Sequence, residues 1–200
     1  MSQKNGWVTR TRILDAAQGL FAQNGYDGTG VAEICAAAGI SKGAFYHHFR
    51  TKQDVFLDLL EAWLSKMDVQ IENVVQEAKD TPNALIGLAD MSAAVTQAAD
   101  GRLPMFLEFW TQASRNQAVW QAAIAPYHRY VELFKGMIVQ GIEEGTIEGV
   151  DPSLAGRVIV ALAMGLLLQS LFEPQAQDWV EVTRQGIGML IQGIGKREQK

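Results

Sequence analysis

The 200 residues predict an all-α protein, with a small N-terminal three-helix domain ahead of a larger helical body. Three observations lead there. Apolar residues recur at helical spacing along most of the chain. No segment reads as part of a β-sheet. Thr29, Ser41, Thr51 and Asp151 each stand just ahead of a periodic run, where a helix cap belongs.

Each element follows from its own pattern. Residues 8–24 place Ile13, Ala17, Leu20 and Phe21 on one face, and Gly25 supplies a left-handed stop. Thr29 is the expected N-cap of a short helix through Ala38, with Val31, Ile34 and Cys35 turned inward. Gly39 and Ile40 make a tight turn, and Ser41 caps a second short helix ending near Phe49. Two short helices joined by a glycine-containing turn are the signature of a helix-turn-helix, whose second helix enters the DNA major groove. Thr51 opens a long helix to about residue 79, striped by Val55, Leu59, Trp63, Met67, Ile71, Val74 and Ala78. Residues 80–83 break it.

Further helices are expected near 84–99, 104–114 and 117–144. The last carries Trp120, Ile124, Tyr127, Val131, Phe134 and Ile138 in a stripe and is loosened at Pro126. Asp151 and Pro152 form a cap and first-turn proline for the next helix, which Pro174 ends; a final helix covers 177–194. The expected division is 1–54 for the N-terminal domain and 55–200 for the body.

Composition narrows the function classes. With 48% apolar and 20% charged residues, the chain buries a core instead of remaining disordered. A single cysteine, Cys35, excludes a disulfide framework and a cysteine zinc cluster. Residues 1–12 lack the apolar run of an export signal, and 158–172 is read as too short for a membrane span, so a cytoplasmic protein with no membrane partner is expected. The net charge of −5 divides unevenly, +2 over residues 1–54 and −7 beyond, a basic head on an acidic body. The only histidines are His47, His48 and His128. Adjacent side chains diverge by about 100° on a helix, so His47 and His48 cannot chelate together. With no nucleophile motif or phosphate-binding glycine loop, no enzyme activity, cofactor or metal is expected.

The run from Arg12-Ile-Leu-Asp-Ala-Ala through Phe21, Gly25-Tyr-Asp-Gly-Thr29, Ile34, Ala38-Gly-Ile-Ser-Lys-Gly-Ala-Phe-Tyr-His-His-Phe49 and Lys52 to Val55-Phe resembles the TetR family of one-component regulators. The resemblance covers about the first quarter to third of the chain; the body matches in architecture alone. It implies a ligand-responsive DNA-binding regulator, a repressor released from its operator by a small, largely apolar effector. Carried over position by position, it puts Tyr46 on a phosphate and Lys42, Gly43, Ala44 and His47 at base edges or neighbouring phosphates. Thr29 and Ser41 would cap their helices beside phosphates, and Lys52 matches the family's phosphate-contacting lysine. Phe45, Phe49 and Ile34 match core positions. Gly30 departs from the pattern, since the family often has Ser or Thr there. The partners so implied are double-stranded operator DNA, a small-molecule effector and a second copy of the chain.

In the body, aromatic and methionine residues crowd the middle helices. Taken singly each reads as core; as a group, Trp63, Met67, Phe106, Trp110, Tyr127 and Phe134 are the expected lining of an effector pocket. Glu108, Arg129 and the pair Glu143–Glu144 are expected on solvated faces. The last two helices have little polar surface, and Val160, Met164, Leu167, Leu171, Ile187, Leu190 and Ile191 are the expected dimer seam. Two competing functions are a DNA-binding structural factor without an effector and a helical enzyme or carrier.

Overall fold

A computed structural model describes residues 2–97, 103–173 and 175–194, with side chains left aside at 2–5, 92–97 and 103–106. Among the described residues every regular element is a helix: α1 Ser2–Asn24, α2 Val31–Ala38, α3 Lys42–His48, α4 Lys52–Glu77, α5 Thr81–Gln97, α6 Leu103–Ala113, α7 Gln117–Glu143, α8 Pro152–Phe172 and α9 Trp179–Ile194.

Side-chain caps set most of the entries. The Ser41 hydroxyl accepts from the Ala44 N–H at 3.1 Å. Thr51 and Asp54 form a reciprocal box, each side chain accepting from the other's backbone N–H at 3.1 and 3.0 Å. Asp80 accepts from Asn83 N–H, so α5 begins at Thr81, inside the stretch read as a break. Asn116 opens α7, Asp151 opens α8 with Pro152 behind it, and Asp178 opens α9. Thr29 is the exception. The cap of α2 is Gly30, whose N–H donates to Glu33 Oε2 at 2.6 Å. Thr29 is 1% exposed, and its hydroxyl donates within reach of Leu20 O and Gly25 O. The hydroxyl left without water by burial finds carbonyls in the preceding turn instead.

The chain forms two compact units, which do not follow the expected boundary at residue 54: Met1–Lys66 with Asp100–Ala123, and Met67–Ala99 with Ile124–Lys200. The first is built around Ile13, Ala17 and Phe21 of α1, Ile34 and Cys35 of α2, Phe45 of α3, and Val55, Phe56 and Leu60 of α4. Phe109 and Ala113 of α6 complete this core, so α6 belongs to the head. Phe56 joins the two contributions, edge-on to Phe21 at 5.6 Å and 4.3 Å from the Phe109 ring. Trp120, expected in the inner stripe of α7, is 45% exposed; its neighbour Val119 takes the buried position.

The second unit is held by Ala84, Leu85 and Ala89 of α5, Met137 and Ile138 of α7, Ile147 of the loop between α7 and α8, Ala155 and Ile159 of α8, and Ile187 of α9. Helix α8 approaches α7 closely at Gly156, where an added Cβ would lie 2.8 Å from Val131 O and 2.9 Å from Lys135 N. Only glycine fits there. Glu143 and Glu144 are exposed, as expected; the Glu144 carboxylate also accepts from the Thr81 N–H at 3.0 Å, and this bond with that from Gln140 holds its pKa below the ordinary value. Arg129 is also exposed, as expected, and pairs with Asp68 at 2.7 Å, beside the Tyr130 hydroxyl that donates to the same carboxylate at 2.8 Å. Burial first, and then that bond, push Tyr130 up to about 12.

At 21 residues, α8 is long and apolar enough to cross a membrane by length and composition, correcting the reading of 158–172 as too short. It is a bundle helix with one covered side. Ala155, Gly156, Ile159, Val160 and Ser170 are buried, whereas Leu154 is 58% and Phe172 70% exposed, with Val158 and Leu168 also bare. Leu154, Val158, Ala161, Gly165, Leu168 and Phe172 recur at alternating steps of four and three, a continuous outer stripe. Val160 and Ile187, expected at a seam between copies, are covered inside their own unit. Leu190 and Ile191 pack partly against the same core, and Met164, Leu167 and Leu171 are half-buried.

Candidate nucleic-acid interface

Helix α3 has seven residues, too few to hold together on propensity alone. Its cap and its inner face fix it. Phe45 and Phe49 are buried with ring centroids 6.0 Å apart, and the Arg10 guanidinium lies 5.2 Å over Phe49 while pairing with Asp58 of α4. The turn into α3 runs through Gly39 at φ 62°, the left-handed region that favours glycine. The opposite face of α3 is then fully determined. Ser41, Lys42, Gly43, Tyr46 and His47 are exposed, Ala44 is half-exposed, and the Tyr46 ring stands edge-on against Phe45 at 5.4 Å with 55% of the residue in solvent.

These groups form one donor-rich surface: an ammonium, a phenol hydroxyl, an imidazole and the Ser41 hydroxyl, with Gly43 and Ala44 leaving room for close approach. The N–H groups of Lys42 and Gly43 have no acceptor within their own helix and point the same way as its positive end. Such a face can bind phosphates and read base edges in a groove wide enough for a helix. The His48 ring stands edge-on to that of His47, 5.1 Å away, while turning to the other side of the helix. It lies beside α1, where a Cβ on Gly6 would be 3.8 Å from its Cε1, and burial, then His47 and Arg10, lower its pKa. Among the described residues no three His, Cys, Asp or Glu side chains gather as a metal site.

Two cations outside α3 end on backbone carbonyls. Lys52 Nζ donates to Tyr26 O at 2.6 Å and Thr29 O at 2.8 Å, and sits 4.0 Å from the Tyr26 ring centre. Arg12, which sequence reasoning assigned no task, donates to Ala38 O and to Gly39 O, the latter at 3.1 Å. Sequence reasoning had no signal for either pairing, since both span more than twenty residues and end on backbone carbonyls.

The expected effector-lining residues fall in both units. Trp63 packs beside the first core, and Trp110 lies half-buried on α6. Met67 and Tyr127 are half-buried, and Phe134 packs against the second core. The side chain of Phe106 lies outside the described residues. Glu108 is not on a solvated face: it is half-buried and accepts from Gln112, which is itself buried and reaches Asp27 at 3.3 Å. A depression of about 640 Å³ occurs elsewhere, lined by Ile142, Gly145, Ile147, Glu148, Gly149 and Val150; it contains none of the expected residues.

Residues 13–59 match the model of bacterial regulatory proteins of the tetR family, and residues 84–191 match that of the BetI-type transcriptional repressor C-terminal region. The chain belongs to the TetR family. It is a DNA-binding transcriptional regulator and not an enzyme. The fatty acid metabolism regulator protein of Bacillus subtilis is 26% identical over 184 residues, covering 92% of this chain and 94% of the relative. The transcriptional repressor DhaR of a Mycobacterium species is 26% identical over 166 residues, covering 82% and 83%. Among solved structures, a regulator from Saccharomonospora viridis in complex with choline superposes with a TM-score of 0.82 at 24% identity, covering 94% of this chain and 98% of that one. FadR from Bacillus subtilis in complex with stearoyl-CoA gives 0.81 at 22% identity, covering 92% and 98%.

Proposed function

We propose that this TetR-family chain is a cytoplasmic homodimeric repressor that occupies a palindromic operator and leaves it when a small effector with an apolar part binds. The observation that carries the reading is the division of α3 into a buried aromatic face and an exposed donor face. Ser41, Lys42, Gly43, Ala44, Tyr46 and His47 are the proposed DNA contacts; Thr29, whose hydroxyl is spent internally, is not among them. The outer stripe of α8, with Met189 exposed on α9, is the proposed seam between copies. Two copies related by a two-fold axis call for two half-sites about one helical turn, or a multiple, apart.

Effector response is supported by the relatives bound to choline and to stearoyl-CoA. Helix α6 is the proposed point of action. Its Phe109 touches Phe56 at the start of α4, its Gln112 reaches the loop before α2, and Asn116 just beyond it bonds Gln53 at 3.0 Å. A ligand that shifts α6 therefore works on the head through contacts already present, and a coupling of about 1–3 kcal/mol is enough for a switch.

Calorimetric titration tests the scheme. Stearoyl-CoA and choline are the first compounds to try, titrated into free protein and into protein saturated with duplex from the chain's own upstream region. Linkage requires that operator weaken effector binding by the same factor by which effector weakens operator binding. Equal affinity in both titrations leaves a DNA-binding factor without induction, and tighter binding to the complex makes the compound a co-repressor.

A further inference from the structure

The lysine that opens α4 has the sequence position of a phosphate contact and the surroundings of an internal strut. Its ammonium has three N–H donors. Two end on the carbonyls of Tyr26 and Thr29, and the Tyr26 ring covers it at 4.0 Å. Tyr26 is itself fixed, its ring tilted against Phe21 at 5.5 Å and Phe56 at 4.8 Å. Lys52 is half-buried; desolvation lowers its pKa, while Asp27, Glu108 and Glu33 oppose that shift. A DNA phosphate approaching this ammonium would meet the field of those three carboxylates, with only the third donor, on the side of the Tyr26 ring, left to receive it.

The carbonyls it holds belong to the loop that delivers the chain to Gly30, the cap of α2. At the other end of α2, the Arg12 guanidinium from α1 donates to the carbonyls of Ala38 and Gly39. A cation thus braces each end of α2, from α4 at the entry and from α1 at the exit. Helix α2 in turn leads through the Gly39–Ile40 turn into α3. The orientation of the reading helix is set by where α2 is held.

We infer that Lys52 is a positioning residue for operator recognition: it fixes the entry of α2, and through α2 the presentation of α3, without itself contacting DNA. The inference rests on the assignment of α3 as the reading helix, which Lys42→Ala checks separately in the same assay by changing the preference among operator base pairs.

The experiment compares full-length protein, Lys52→Met and Lys52→Gln. Each is titrated against duplex from the upstream region and against a scrambled duplex, over a range of salt concentrations. For Lys52→Met, a positioning role predicts a loss of about tenfold or more on the operator, with scrambled-duplex affinity within about twofold of wild type. The slope of log K against log salt stays unchanged, because no phosphate contact is lost. Hydrogen exchange of the amides of Val31–Ala38 should rise as α2 loosens. Lys52→Gln keeps a donor but no charge, and should recover part of the operator preference at an unchanged slope. This second variant also guards against simple misfolding of the first.

A phosphate ligand gives the opposite pattern. Both duplexes lose affinity by a similar factor, and the slope shrinks by about one per subunit in Met and Gln variants alike. That result overturns the inference. Equal losses on both duplexes at unchanged slope also overturn it, since they mark a general loss of active protein and not a misplaced helix.

Discussion

The outward faces of α3 and α8 are both bare, and they are bare in opposite ways. On α3 the exposed positions are Ser41, Lys42, Gly43, Tyr46 and His47, every long side chain ending in a hydrogen-bonding group. On α8 they include Leu154, Val158, Ala161, Leu168 and Phe172, a stripe without a polar group, flanked by the exposed Ser153, Arg157 and Gln169. A donor face loses little in water and gains when it meets an acceptor-rich partner, as DNA is. An apolar face is costly in water and gains when it is covered by a like surface. The first suits a partner that comes and goes with salt and effector, the second a permanent mate.

The sharpest way to break this comparison is to put charge on the α8 stripe. Val158→Glu with Leu168→Glu places four carboxylates across a two-fold seam. Burying each unpaired charge costs several kcal/mol, so the copies should separate at micromolar concentration. Sedimentation equilibrium should report a dimer for the wild type and a monomer for the variant, with the helical far-UV signal retained in both. Operator affinity should fall with the dimer, because a single head engages one half-site. A wild-type monomer that binds its operator at full strength removes the seam from this face.

The matching change on α3 is smaller. Lys42→Ala should cost about 1–3 kcal/mol at particular base pairs if the ammonium reads guanine acceptors. Thermal stability should be nearly untouched, since Lys42 is exposed and has no part in the core. Binding to a panel of duplexes with single base-pair changes measures the effect. A uniform loss over the whole panel, with a reduced salt slope, would reassign Lys42 to phosphate.

How far each face was legible in the sequence depends on the range of the interactions that make it. The α3 surface follows from local rules: Ser41 ahead of a short run, Phe45 and Phe49 four apart, and the remaining positions left outward. The all-helical pattern, the cap at Thr51, the Asp151–Pro152 entry and the glycine turn at Gly39 are legible for the same reason. The α8 stripe is harder to read. Helix α8 is apolar nearly all round, so periodicity alone could not say which stripe α7 and α9 cover; the close approach at Gly156 settles it. Periodicity therefore points Val160 outward, whereas the structure covers it and leaves Leu154 and Phe172 exposed. The bonds of Thr29, Lys52 and Arg12 are illegible for another reason. Their partners are backbone carbonyls, which carry no sequence signature, and two of the three reach across more than twenty residues. The same blindness hid the place of α6 in the head, which rests on Phe109 meeting Phe56.

The smallest expected effect separates the faces once more, through the side chains that start their helices. Ser41 accepts from Ala44 N–H at the start of α3, and Asp151 from Ser153 N–H at the start of α8. Replacing either by alanine should cost about 1 kcal/mol of stability, the usual worth of such a cap. The consequences for function should differ. Helix α8 runs 21 residues and is anchored along its inner side, so losing one terminal bond frays a turn and leaves the stripe from Val158 to Phe172 in place. Helix α3 runs seven residues, and its first turn carries Lys42 and Gly43. Fraying there disturbs the reading face itself and removes a hydroxyl from it. Ser41→Ala should therefore weaken operator binding by about 1 kcal/mol or more beyond wild type, while Asp151→Ala leaves operator affinity and dimerisation unchanged. Thermal melts and operator titrations on the two variants decide the matter. Equal operator losses would mean that the ends of α3 and α8 are felt alike at the DNA; no loss from Ser41→Ala would mean that the buried Phe45 and Phe49 hold the reading helix without help from its cap.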